Sequence, residues 1–385
     1  MKRLRIENLG PLRRADVTLG DLTVLVGPQA SGKSLFVQTY KAICDAQSIR
    51  SDLRSYGFDW KTSDDPIGSF CASYYGGGTE HLPKENTRLI RDERDITFKN
   101  IVSPRGRDTE SVYFIPAQRV LILQDGWPRP FLGYQVSEPY SIKRFSESIR
   151  LLMERGLDRA KTVFPQPKRL KADLRTLLMD GIYSGGTLNI EAEGARKRIV
   201  LKPGSRTSLA MGAWSAGQRE FTPLLLGLYW LMPGTQKPKQ DRVEVVVIEE
   251  PEMGLHPKAI VSFGLLVLEL LHRGYRVIVS THSPVFLDVV WAVRQLSGVR
   301  RNHARAALKK IFGLRTLTAP LQQVFENALD AEYRTYFFER KPRGVVVKEI
   351  STLDPGDEDP HVSGWGGLSG FSGEIAEAVG EAMSK

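Results

Sequence analysis

Two rhythms of apolar residues divide the chain. Residues 22–26, 111–115, 243–248 and 276–280 are short apolar runs rich in β-branched side chains, the pattern of strands buried on both faces of a parallel sheet. Residues 35–43, 221–232 and 256–273 carry apolar positions at helical spacing instead. Runs and helices alternate, and each run ends abruptly in glycine or polar residues. The chain therefore reads as a doubly wound α/β fold whose strand ends face a ligand crevice.

The flanking segments add smaller parts. Residues 2–26 read as two short strands about a turn at Asn8, Leu9, Gly10 and Pro11, then a third strand. Residues 44–110 turn polar and irregular, with three glycines at 76–78 and alternation at 95–102, and are expected to form an antiparallel β subdomain with long loops. Residues 137–182 carry a helical pattern broken by Pro165 and Pro167, a helical insertion. Residues 187–202 alternate about a Glu-Gly turn, a hairpin whose return strand carries Arg196, Lys197 and Arg198 for a structural role or a polyanion contact. From Pro284 a helical stretch runs to about Arg340, residues 344–350 form a late strand, and the Gly- and acid-rich tail ends in an amphipathic segment at 371–383. The expected division is 1–136 and 186–350 for the two parts of the core, 137–185 for the helical insertion and 351–385 for the tail.

Composition narrows the class. A chain of 385 residues can bury a large core, and its two cysteines, Cys44 and Cys71, lack metal-ligand spacing or a disulfide framework, so a reducing cytoplasm is the expected compartment. The N-terminus carries no signal-peptide apolar region, and the longest apolar runs, 223–233 and 260–271, fall short of a membrane span. No membrane partner is expected. The net charge of +10 and pI near 9.5 fit a polyanion partner. Arg and Lys concentrate at 88–119 and 294–315 with few interleaved aromatics, which leaves a solvated basic face and a nucleic-acid surface both open.

The chemistry gathers where the strands end. Residues 22–34 read LTVLVGPQASGKS, with Gly27, Gly32, Lys33 and Ser34 in the spacing that cradles phosphates between a strand and a helix. The loop Gly27, Pro28, Gln29, Ala30, Ser31 and Gly32, with Leu35 at the helix start, would wrap a nucleotide's phosphates through its backbone N–H groups, all but Pro28 having one to give; Lys33 would place a charge at the β and γ oxygens, and Ser34 would ligate Mg²⁺. The run at 243–248 is followed at once by Glu249 and Glu250. The first would hold Mg²⁺ with Ser34; the second would face the γ-phosphate of ATP as base. His282, at the end of the run at 276–280, can donate to the γ-phosphate and sense its loss. Ser215, Gly217 and Gln218 in WSAGQRE stand where a helix should begin, a geometry that can hold an anion but is also a common helix start.

Taken in order, these stretches resemble the ATPase head of the ABC type shared by transporters, SMC-like proteins and the overcoming-lysogenisation-defect (OLD) family. GPQASGKS is similar to Walker A, PAQR to the Q-loop, WSAGQRE to the signature, VVVIEEPEMGLHP to Walker B with the D-loop, and VSTHSP to the switch-histidine region. The EEPE, LHP and THSP stretches most resemble OLD-type ATPases, and the later WGGLSGF resembles stand-alone ATPases of bacterial anti-phage systems of the Septu and PARIS types. The resemblance implies a mixed, largely parallel sheet, ATP and Mg²⁺, and a sandwich dimer or higher homo-oligomer in which Ser215, Gly217 and Gln218 act in trans. It also implies Gln118 as a metal-sensing residue, with Arg119 an alternative. Glu249 replaces the usual Asp, SAGQ replaces SGGQ, and His256 stands where the D-loop usually ends in Asp.

The expected function is an ATP-driven switch that controls a separate nuclease or toxin effector, with nucleic acid a candidate partner. The alternative is an SMC- or repair-like head that clamps DNA, although 137–182 is too short for a long coiled-coil arm. A transporter motor is a remoter third. Fewer than about 110 residues follow His282, without the metal-binding arrangement of the TOPRIM domain that OLD nucleases carry. The acidic run at 354–359 reads as a solvated loop.

Overall fold

The computed structural model describes all residues except 107, 158–160, 205–206, 235–238, 371–374, 376–378, 380–381 and 383–385. Strands β1 (Arg3–Leu9), β2 (Leu12–Thr18) and β3 (Leu22–Val26) open the chain, and β4 (Pro83–Arg91), β5 (Arg94–Ile96) and β6 (Val112–Ile115) follow. β7 (Leu123–Gln124) and β8 (Trp127–Pro128) form a small ribbon, while β9 (Thr162–Phe164), β10 (Thr187–Glu193) and β11 (Arg196–Lys202) form a three-stranded sheet. β12 (Val245–Glu249), β13 (Arg276–Ser280), β14 (Tyr333–Lys341) and β15 (Gly344–Glu349) return to the main sheet.

That main sheet has ten strands in the order β5-β4-β1-β2-β15-β14-β3-β13-β12-β6. From β14 to β6 every neighbouring pair is parallel, and the β5-β4-β1-β2 wing is antiparallel. Consequently β3, β13, β12 and β6 all end on one edge. These strands are continuous apolar runs because both faces are covered: Val24, Val246 and Val277 pack into one core, while Leu25, Val247 and Ile278 pack into the other. Helices Ala216–Leu231, Pro257–His272 and Pro284–Leu296 cover the first face, and Lys33–Cys44 with its neighbours covers the second.

The mixed sheet with an antiparallel component is as expected. In detail, residues 44–110 are less irregular than they read: helices Ala46–Ser55 and Pro66–Tyr75 precede β4, and 98–102 is a helical turn rather than strand. β4 and β5 extend the main sheet from β1, so the antiparallel part is a wing of it. The stretch before Arg340 also hides β14, whose YRTYFFERK sequence is flanked by charges. The amphipathic segment expected at 371–383 lies outside the described residues apart from Ile375, Val379 and Ala382.

A buried ionic network anchors the far end of helix Lys33–Cys44. Lys41, 1% exposed, donates to Asp45 at 3.0 Å, Glu110 at 2.8 Å and the Val112 carbonyl at 2.6 Å. Asp45 accepts from Ser111 and Val112 at the start of β6, and Arg144 meets Glu110 at 2.6 Å. Burial alone would raise the Glu110 carboxyl, yet Lys41 and Arg144 hold it down at about 2. A depressed carboxyl stabilises the fold fully above its unfolded value and loses that contribution as pH falls toward its folded value. Glu110→Gln should therefore lower stability at neutral pH by about 2 kcal/mol, with Asp45 still holding Lys41. The difference should shrink below pH ~4.5. Urea midpoints of the two proteins across pH check this, and equal midpoints at neutral pH would refute it.

Candidate active site

The glycine loop hangs on β3. Gly27 sits at φ 144°, where a Cβ would come within 2.8 Å of the Phe338 carbonyl on β14. Gly32, at φ 87°, would press a Cβ to 2.7 Å from Leu12. Only glycine fits both places without a shift. Between them Pro28, Gln29 and Ala30 are exposed, while Ser31 is buried with its hydroxyl unpartnered. Gly32 caps helix Lys33–Cys44 without any side-chain bond, so the first N–H groups there have no side-chain cap competing with an anion. Lys33, 6% exposed, turns back on the loop and donates to the carbonyls of Gly27 at 2.7 Å and Pro28 at 3.0 Å. Burial lowers its pKa to about 8, with Glu250, Glu252 and Glu249 pulling the other way.

β12 delivers the carboxylates. Glu249 is 1% exposed; its Oε2 accepts from the Ala117 N–H at 3.3 Å, its carboxyl also takes the Ser34 hydroxyl, and Oε1 has no partner. Burial raises this carboxyl to about 7 against the pull of Ser34 and Ala117. An orphaned carboxylate oxygen next to a serine hydroxyl fits a divalent cation. Among the described residues no group of three or more His, Cys, Asp or Glu side chains could hold a metal, so Mg²⁺ here would complete its shell with phosphate and water oxygens, as that ion prefers.

Glu250 adopts the left-handed conformation, φ 44°, at a cost of about 1–2 kcal/mol. This twist parts two adjacent carboxylates, so that Glu249 points inward at Ser34 and Glu250 lines an open cavity of about 470 Å³ with Lys33, His282, Tyr75 and Leu82. His282 places Nε2 3.8 Å from Glu250 Oε1 and leaves it without a hydrogen-bond partner. Burial, then the Lys33 charge, lowers the His282 pKa while Glu250 opposes them, so the ring is held toward its neutral form. Lys33, Ser34, Glu249, Glu250 and His282, far apart in sequence, thus meet at one sheet edge.

Two further residues hold this edge. The Arg119 guanidinium is fully buried and donates to the carbonyls of Glu249 at 2.9 Å, Glu250 at 3.0 Å and Glu220 at 3.1 Å. Glu252 accepts the His282 N–H at 2.5 Å and takes the Thr281 hydroxyl. Sequence reasoning left Arg119 as an alternative ligand-facing residue and passed over Glu252, whose signal was its place in the EEPE stretch. Gln118 is exposed at the start of the turn Arg119–Ile122 and does not line the cavity.

Ser215, Gly217 and Gln218 also lie outside that cavity. They form a reciprocal cap on helix Ala216–Leu231: Ser215 Oγ accepts from the Gln218 N–H at 3.3 Å, and Gln218 Oε1 accepts from the Ser215 N–H at 3.0 Å. A Cβ at Gly217 would stand 2.7 Å from the Gly254 carbonyl, so this cap packs directly on the loop after Glu250. The tail turn at 364–367 packs on the other side, where a Cβ at Gly366 would meet Phe337 of β14 at 2.7 Å.

Strand order, glycine loop, paired carboxylates and His282 together define a P-loop ATPase of the ABC type, OLD-like in its motifs. Residues 22–288 match the family described as "AAA domain, putative AbiEii toxin, Type IV TA system", and the chain belongs to that family. It is 23% identical over 344 residues to an OLD nuclease of Thermus scotoductus (strain ATCC 700910 / SA-01), covering 75% of this chain and 60% of that protein. It is 25% identical over 159 residues to the Old nuclease of Escherichia phage P2, covering 41% of this chain and 26% of that one. The chain thus spans less than two thirds of either relative's length. Among solved structures it is similar to an SMC head bound to the C-terminal winged-helix domain of ScpA, at 12% identity and a TM-score of 0.44, covering 91% of this chain and 97% of that one.

Replacing Arg119 by Met should remove the guanidinium donor from three backbone carbonyls, that of Glu249 buried and those of Glu220 and Glu250 partly buried, and cost about 3 kcal/mol of stability. Gln118→Ala should change stability by less than about 0.5 kcal/mol. Chemical unfolding of both variants tests the assignment, which fails if Arg119→Met unfolds at the wild-type midpoint.

Proposed function

We propose that the protein is an ATP-hydrolysing switch that assembles through bound ATP and controls a separate effector. The observation that carries this reading is that Lys33, Ser34, Glu250 and His282 line one open cavity, with the buried, half-satisfied Glu249 directly behind it at the end of β12. ATP phosphates would draw the Lys33 ammonium from the Gly27 and Pro28 carbonyls, exchanging neutral acceptors for charged ones. Ser34 and Glu249 would hold Mg²⁺, which when bound offsets charge on the phosphate oxygens. Glu250 would orient the attacking water and take its proton as the new P–O bond forms and the bridging P–O bond to ADP breaks. His282, its Nε2 unpartnered, would donate to the transferring phosphoryl group and register its departure.

The capped Ser215 helix would close the site from a second protomer, because it does not reach its own chain's cavity. Its packing on Gly254 supports coupling between that contact and the carboxylate turn. A toxin–antitoxin family description and nuclease relatives support a cytoplasmic role in anti-phage defence, with a nuclease or toxin as effector and nucleic acid as the first trigger to test. The core would comprise 1–136 and 186–350, with 137–185 and 351–385 as attachments.

Lys33→Ala should abolish ATP binding measured calorimetrically. Glu250→Gln should keep binding, slow phosphate release by about 10²–10⁴-fold and accumulate an ATP-bound oligomer in light scattering. Wild-type hydrolysis by Glu250→Gln would sink the base assignment.

A further inference from the structure

The basic stretch at 88–119 meets three separate fates in the fold. Arg88 is paired with Asp95 at 3.1 Å and Glu7 at 3.8 Å, and Arg119 is buried beneath the carboxylate turn. Arg91, Lys99 and Arg105 instead converge on a cavity of about 590 Å³ that Cys44, Gln47 and Asn100 also line. Among the described residues no Asp or Glu lines it. Asp92 comes only to 4.0 Å from Arg91, and neither Lys99 nor Arg105 has an ion-pair partner among the described residues. In the second basic stretch Arg301 and Arg305 both meet Glu326, at 3.6 and 3.4 Å.

Three cations lining one concavity, offset among the described residues only by the 4.0 Å Arg91–Asp92 pair, favour the arrival of an anion. Arg and Lys donors in this number suit phosphoryl oxygens, which accept several charge-assisted hydrogen bonds at once. The volume lies within the range of about 300–1,000 Å³ typical of small-ligand sites. Among the described residues no aromatic side chain lines the cavity, which therefore offers none of the stacking platform a single-stranded polynucleotide uses. We propose that this cavity is a second anion site, binding a small ligand that carries two or more phosphoryl groups.

The site is placed to communicate with the glycine loop. Lys33 begins and Cys44 ends one helix of 12 residues, and Ile43 and Cys44 line the cavity, so the two sites share a rod of about 18 Å. The Lys41 network fixes that rod to β6 at the same end. The proposal itself does not depend on the ATPase reading.

The test titrates inorganic tripolyphosphate into the full chain carrying Lys33→Ala, which removes the glycine loop's own phosphate contact. One tripolyphosphate per chain should bind, more weakly as salt rises. Adding Arg91→Ala, Lys99→Ala and Arg105→Ala should weaken it by about tenfold or more. The charge-keeping set Arg91→Lys, Lys99→Arg and Arg105→Lys should retain most of the affinity, which separates lost charge from lost fold. No binding, or equal binding with and without the three cations, would overturn the proposal. Tighter binding of a single-stranded oligonucleotide than of tripolyphosphate, lost in the alanine set, would overturn it in favour of a polynucleotide surface.

Discussion

One buried guanidinium holds the working edge of the sheet. Arg119 leaves β6 and spends its donors on the carbonyls of Glu249 and Glu250 at the end of β12 and on Glu220 in helix Ala216–Leu231. The turn it grips is strained, because Glu250 must take a left-handed conformation for adjacent carboxylates to face different ways. Three charge-assisted bonds of about 1.5–3 kcal/mol each are enough to offset such a twist. The same bonds tie the first turns of the Ser215-capped helix to the carboxylates. A displacement of that helix by a partner would therefore reach Glu250 without passing through the glycine loop.

The glycine loop has a complementary economy. Without phosphate, Lys33 satisfies its ammonium on the loop's own carbonyls, which holds the side chain in place at little cost. Those bonds are neutral-acceptor bonds, weaker than the ones a phosphate would offer, so the exchange favours the ligand. Glu249 is poised in the opposite sense: one oxygen is satisfied by Ser34 and Ala117, and the other waits. An unpaired buried acceptor is a cost that a cation would remove. Both groups thus favour a phosphate and a cation as partners.

Much of this was legible in the sequence because parallel strands buried on two faces leave an unmistakable continuous apolar run. The runs ending at Val26, Ile115, Glu249 and Ser280 located the edge, and glycine at 27 and 32 located the loop. β14 was not legible, since its short buried centre, Thr335 to Phe338, is flanked by charged residues that read as part of the helical surroundings from which it emerges. Helices Ala46–Ser55 and Pro66–Tyr75 were missed for a related reason: the first is polar on most of its faces and the second is interrupted by glycine. Arg119 shows a deeper limit. Nothing local distinguishes an arginine that meets a ligand from one that props a backbone turn, because its partners lie about 100 and 130 residues away.

The charge balance follows the same logic. A net charge of +10 reads as one basic property of the chain, but the fold divides it among groups with different work. Lys41 and Arg144 neutralise a buried carboxylate network, Arg119 serves backbone carbonyls, and Arg301 and Arg305 are matched by Glu326. Cations used this way contribute little field to the surface, since each is compensated within a few ångströms. Part of what remains available to an anion lies at Arg91, Lys99 and Arg105, where the basic groups line a concavity rather than run along a stripe. A polyanion selects for extended surface, whereas a compact anion selects for convergence. Convergence is what the wing of the sheet supplies, at the end of the helix whose other end carries the glycine loop.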